Sequence, residues 1–185
     1  MSTSLDEKFQ RFTFSDNWVV FKYDDVTGDT GYASIKDNVS GTKACDFLGV
    51  FEHSAAYLIE VKDFRGFRIQ NKKRLTTGEL TAEVAQKVRD TLAGIISGCR
   101  RRAGPHPWPE LGHYLTSADQ EIIVVLCLED DGRLDKSKMD VHKQSIKQKL
   151  SWLNAKVRVV SRQVNPDKLP GVFVQDLPGA AGHAS

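Results

Sequence analysis

Hydrophobic positions in the first part of the chain come in short bursts of β-branched and aromatic residues separated by turn-forming residues, a strand pattern. Trp18 to Tyr23 is the first burst, and Asp24-Asp25-Val26-Thr27-Gly28-Asp29 closes it as a turn. Gly31 to Ile35 is expected to return as the next strand, with Lys36 to Gly41 as another turn. Ala44 to Phe51 and Ala56 to Lys62 follow closely enough to form a hairpin.

From Leu75 the period becomes helical. Thr76 and Glu79 have capping-box spacing, and Leu80, Val84, Val88, Leu92 and Ile95 then share one stripe that runs out near Gly98. Arg100 to Ser117 holds Pro105, Pro107 and Pro109 and is expected to be a long loop. Arg100, Arg101 and Arg102 at its start suit the end of the preceding helix, with Trp108 and Tyr114 anchoring the loop; the alternative is a substrate lid of charge interleaved with aromatics. Glu121 to Leu128 is nearly all apolar, as expected of a strand covered on both faces. Asp135 to Leu153 aligns Met139, His142, Ile146 and Leu150 on a second helix, and Ala155 to Arg162 reads as a further strand. Beyond Asn165 only Val172-Phe173-Val174 is suited to packing. This order points to an α/β sandwich with a central mixed β-sheet flanked by helices.

Length and composition narrow the class. The 185 residues are 40% hydrophobic and 27% charged, ordinary values for a globular chain that can bury its own core. One domain is expected over residues 1–175, with 176–185 as a flexible tail. The longest apolar run, Ile122 to Leu128, has seven residues, against about 20 for a membrane span. The start lacks a signal-peptide apolar region, so no membrane association is expected. Three cysteines, Cys45, Cys99 and Cys127, form no zinc-like spacing, and their odd number fits a reducing, cytoplasmic setting.

The net charge of +2 hides an asymmetry: residues 1–61 carry 5 basic and 10 acidic side chains, residues 133–185 carry 10 basic and 4 acidic. Such polarity permits an anionic partner.

Strand alternation singles out one cluster. Leu58, Glu60 and Lys62 share one face of their strand, and Tyr57, Ile59 and Val61 the other, which puts two charges inside a buried element. A turn at Glu52-His53-Ser54 makes paired positions sum to 106, so Asp46 is expected across from Glu60. Opposed buried carboxylates are unfavourable unless a cation lies between them. Two carboxylates with open water positions suit magnesium or manganese.

These residues resemble the PD-(D/E)XK nuclease superfamily, also called restriction-endonuclease-like. Ala44-Cys45-Asp46-Phe47 matches the aspartate motif, with Cys45 where proline is usual, and Ile59-Glu60-Val61-Lys62 matches the E-x-K motif. The order of elements agrees over residues 5–130. The resemblance implies a restriction-endonuclease-like sandwich and hydrolysis of DNA phosphodiester bonds. It implies that Asp46, Glu60 and the Val61 backbone carbonyl ligate magnesium (or manganese), while Lys62 orients or deprotonates the attacking water. An acid from an early helix would be Glu7, and a polar residue from the helix after E-x-K would be Gln86 or Glu83; Gln86 lies opposite the apolar stripe, and none of these joins the main set.

Beside the motif, Arg65, Arg68, Lys72, Lys73 and Arg74 form a basic run suited to nucleic-acid phosphates. The alternative is a catalytically inactive nucleic-acid-binding or assembly module of a defence or repair complex on the same fold. RNA as the substrate is a weaker third reading, because lysines and arginines contact phosphates without reading the sugar. A homodimer would suit a two-strand cut.

Overall fold

The computed structural model describes residues 1–25, 32–101, 107–131 and 134–178. Two sheets and a helical layer make an α/β fold. A five-stranded mixed sheet has the order β3 (Trp18–Lys22), β4 (Phe47–Phe51), β5 (Ala55–Asp63), β6 (Glu121–Glu129), β7 (Lys156–Val160). Strands β3, β4 and β5 are antiparallel, whereas β5, β6 and β7 are parallel. A second, antiparallel sheet joins β1 (Thr3–Glu7), β2 (Gln10–Phe14) and β8 (Val172–Asp176) in the order β1-β2-β8.

The two faces of the large sheet carry separate cores. Tyr57, Ile59 and Val61 of β5 pack with Phe12 and Phe14 of the small sheet and with Trp18 and Phe47. Ala56 and Leu58 face the other way, toward α3 (Glu79–Arg101), α4 (Trp108–Thr116) and α5 (Lys136–Lys149). Every residue of β5 is buried, so its alternation distributes side chains between two interiors.

The expected hairpin forms in the expected register. Phe47 pairs with Ile59 and Phe51 with Ala55, and Glu52 (φ 51°) and His53 (φ 49°) take the left-handed conformations of a tight turn. The ladder stops at Phe47, however, so Ala44 to Asp46 are buried without belonging to the strand, and Asp46 stands one position past the last pair.

Several expectations are corrected. Where a strand was expected over Gly31 to Ile35, Ala33–Lys36 is a short helix, α1, whose Ile35 and Lys36 amides donate to the Tyr32 carbonyl; Gly31 lies outside the described residues. The turn at Val26 to Asp29 also lies outside them. The basic run after β5 is a helix, α2 (Arg68–Thr76), polar over most of its surface and therefore without the apolar stripe that announces a helix. Thr76 closes α2, its hydroxyl donating back to the Lys72 and Lys73 carbonyls, rather than capping α3. Instead of ending near Gly98, α3 continues to Arg101, with Arg100 and Arg101 in its last turn; Arg102 lies outside the described residues. The proline-rich segment contains α4, because Pro109 falls in its first turn, where no intrahelical amide bond is lost. Glu7 belongs to β1 and not to an early helix. No helix among the described residues is long and apolar enough to cross a membrane.

Asp176 and Leu177, at the start of the expected tail, are held. Asp176 closes β8, its carboxylate meets Arg65 and Arg162, and the Leu177 amide donates to the Phe9 carbonyl; residues 179–185 lie outside the described residues.

Close helix packing rests on Gly98. A Cβ there would come within 2.6 Å of the buried Trp108 ring. Gly98→Ala is therefore expected to destabilise the protein by about 1–3 kcal/mol through overpacking, a loss that the better helix propensity of alanine, about 1 kcal/mol, offsets only in part. Urea denaturation checks this: a midpoint above that of the parent would contradict it.

Candidate functional site

Asp46 is positioned by main-chain bonds on two sides. Its amide donates to the Ile59 carbonyl at 3.0 Å, and its carbonyl accepts from the Tyr23 amide at 2.8 Å. Its carboxylate Oδ2 accepts from the Val61 amide at 2.6 Å, taking the place of a ladder partner where β4 has not yet begun. The carboxylate is thereby fixed over the carboxy-terminal half of β5.

Glu60 and Lys62 project together on the helix side of β5, with Lys62 Nζ 2.8 Å from Glu60 Oε1. Both are buried, as is Asp46. The three expected residues thus share one interior. The cation between Asp46 and Glu60 is supplied by the protein itself: Lys87 Nζ of α3 lies 3.2 Å from Asp46 Oδ1 and 2.7 Å from Glu60 Oε1. One helical turn earlier, Glu83 takes Lys62 Nζ at 3.1 Å and also pairs with Arg74. The resulting chain of alternating charge runs Asp46, Lys87, Glu60, Lys62, Glu83, Arg74.

Burial and these neighbours shift the acids in opposite directions. Loss of water around Glu60, reinforced by Asp46, pushes its carboxyl up to about 7 despite the two lysines. Burial works most strongly against the ammonium groups of Lys62 and Lys87, but their acidic neighbours together, Glu60 with Glu83 at Lys62 and Glu60 with Asp46 at Lys87, hold both above their ordinary value. Burial also works against the Glu83 carboxylate, yet Lys62 and Arg74 hold it down at about 2.

A second set of acids meets Asp46 from the other direction. Glu7 at the end of β1, Asp24 after β3, and Asp46 bring carboxylate oxygens within 4.8 Å of one another. Asp24 is pushed up to about 6, first by burial and then by the charges of Asp46 and Glu7. Lys22 reaches Glu7 at 2.9 Å. Lys8, left-handed at the β1–β2 turn (φ 54°), is pushed below its ordinary value by desolvation and by Lys62.

An all-oxygen donor set suits a hard divalent cation, and unpartnered acceptors support the fit: Glu60 Oε2 and Asp24 Oδ1 are buried without a hydrogen bond among the described residues. The candidate acidic cluster contains one of the expected ligands, Asp46. Asp46 is clustered with Glu7 and Asp24, Glu60 is turned to two lysines, and Val61 contributes its amide to Asp46.

Spacing alone misses Lys87, Asp24 and Lys8. Lys87 carried a signal: it sits three residues after Val84 and four before Thr91, both buried, so it is a charge within the inward face of α3. Gln86 instead donates to the Gly41 carbonyl.

The expected phosphate-contacting run is largely neutralised within the protein. Arg65 holds Asp63 at 2.5 Å and Asp176 at 2.8 Å, Lys73 meets Glu79 at 3.2 Å, and Arg74 is engaged by Glu83 and lies over the Phe64 ring. Lys72 has no ion-pair partner among the described residues, and the Arg68 side chain lies outside them. Cys45 and Cys127 are buried, as expected of core residues, and His142 packs on its helix.

No protein-family model, curated protein or solved structure matches this chain.

The Glu83 carboxylate titrates lower in the folded protein than its ordinary 4.5, so its contribution is complete above that pH and disappears as pH falls through about 2. Glu83→Gln is expected to cost about 1–3 kcal/mol at pH 7, as for a hydrogen bond to a charged group, and progressively less toward pH 2. Denaturant titrations at several pH values measure this, and a cost independent of pH would refute it.

Proposed function

We propose that this protein is a magnesium- or manganese-dependent nuclease that hydrolyses DNA phosphodiester bonds on a restriction-endonuclease-like fold. The observation that carries the reading is the burial of Asp46, Glu60 and Lys62 side by side, next to the further carboxylates of Glu7 and Asp24. The mixed sheet, with the hairpin preceding a long amphipathic helix and a buried parallel strand, supports it.

In this reading Asp46, with Glu7 and Asp24, holds the divalent ion, and Glu60 Oε2 is the remaining buried acceptor. When bound, such an ion supplies Lewis acidity toward a phosphoryl oxygen and makes a water nucleophilic near neutral pH. The protein's own groups do the rest. Lys62, steadied by Glu60 and Glu83, orients the attacking water and offsets charge developing on the phosphoryl oxygens. Lys87 keeps the Asp46 and Glu60 carboxylates at a fixed separation.

One observation favours a second reading, a catalytically inactive nucleic-acid-binding or assembly module. Lys87 already bridges Asp46 and Glu60, so these two carboxylates are compensated without any added ion.

Supercoiled plasmid incubated with the protein and magnesium separates the two. Asp46→Asn and Lys62→Ala are each expected to lower cleavage by about 10²-fold or more, and calorimetry should register manganese binding by the parent. Cleavage that persists in Lys62→Ala sinks the catalytic assignment. DNA binding accompanied by neither cleavage nor manganese binding selects the module.

A further inference from the structure

A group of cations with no ion-pair partner among the described residues lies at the other end of the large sheet. A cavity of about 770 Å³ opens at the amino-terminal ends of β6 and β7, lined by Lys143, Lys147, Lys156, Arg158 and Lys168. Glu60 pairs with Leu126 and Ala55 with Glu121, so this cavity is five strand positions from the carboxylate centre, about 17 Å along the sheet.

Three features make the cavity more than a solvated basic surface. Lys143 and Lys147 are one helical turn apart on α5 and face the same space. Neither they nor Lys168 have an ion-pair partner among the described residues, in contrast to Arg65, Lys73 and Arg74. Arg158 is held rigid: Nη1 donates to the Lys168 carbonyl at 2.7 Å and to Tyr57 Oη at 3.3 Å, and its guanidinium lies over the Tyr57 ring at 5.6 Å. A guanidinium fixed in this way presents its remaining donors as a ready fork for an oxyanion.

The acids of the cavity refine the ligand. Glu121 is occupied by Lys156, whereas Asp119 and Asp167 have no ion-pair partner among the described residues and are acceptors for hydroxyl groups. Unpaired ammonium groups, one oriented guanidinium and free carboxylates fit a ligand bearing both phosphate and sugar hydroxyls. The volume lies within the usual range for small-molecule sites.

We propose that this cavity binds the phosphate and sugar of a nucleotide unit, either a free nucleotide or one link of a nucleic-acid strand. Lys143 and Lys147, from the helix side of the sheet end, and Lys168 and Arg158, from its small-sheet side, take the phosphates, and Asp119 or Asp167 takes a sugar hydroxyl. The site does not depend on whether the Asp46 centre cleaves anything.

Binding measured in EDTA keeps the two questions apart. A fluorescent nucleoside triphosphate and a labelled 20-residue single-stranded oligonucleotide are titrated by anisotropy over a range of salt. The variants are Lys143→Ala/Lys147→Ala/Lys168→Ala and, as a control on α1 and α3, Lys36→Ala/Arg89→Ala; circular dichroism checks that both fold. The triple variant is expected to lose at least tenfold in affinity, and its salt slope for the oligonucleotide to fall by about 2, while the control matches the parent. Loss of triphosphate binding identifies a free nucleotide as the source; loss confined to the oligonucleotide identifies a strand. If the triple variant binds both probes as the parent does, or the parent binds neither at low salt, the cavity is not a phosphate site and its lysines only guard the edge strand β7.

Discussion

A strand buried along its whole length cannot carry charge without a partner, and β5 carries Glu60, Lys62 and Asp63. Removing one member of a buried ion pair typically costs about 3–5 kcal/mol, so the elements around β5 are tied to it by charge as well as by apolar contact. Lys87 and Glu83 dock α3 onto the sheet at Glu60 and Lys62, and Arg74 extends the tie to α2. The chemistry of the centre and the placement of the helices thus depend on the same few ion pairs.

Alternation along β5 sends neighbouring charges to different interiors. Lys62 faces α3, while Asp63 faces the small sheet, where it meets Arg65, which reaches on to Asp176 of β8. Glu129, paired in register with Asp63, is pushed upward by burial and accepts from the Arg162 amide. A basic run that looks continuous in one dimension is divided in this way: Arg65 ties to the small sheet and Arg74 to the helical layer.

Much of the centre was legible because it depends on local rules. Period two put Glu60 and Lys62 on one face, and turn length set the hairpin register. Asp24 was not legible, because it arrives through tertiary packing, which no spacing within a strand encodes; Lys87 was marked only by its place on the inward face of α3, and Glu7 was named as a candidate acid but on a helix where the fold has strand β1. The small sheet escaped for a related reason: its strands have five residues each, and β2 finds β8 only across most of the chain. In α2 the polar surface hid a helix, and in α4 proline suggested a break at a position where it starts one.

The pairing of Gln10 with Asp176 has a bearing on how the molecule is made. During synthesis β8 leaves the ribosome after every element it contacts, so β2 must wait with its outer edge open. The hairpin that brings Glu7 beside Asp46 is clamped from both sides only when that last strand docks. The cluster of Glu7, Asp24 and Asp46 is consequently among the last parts of the described chain to be braced on every side.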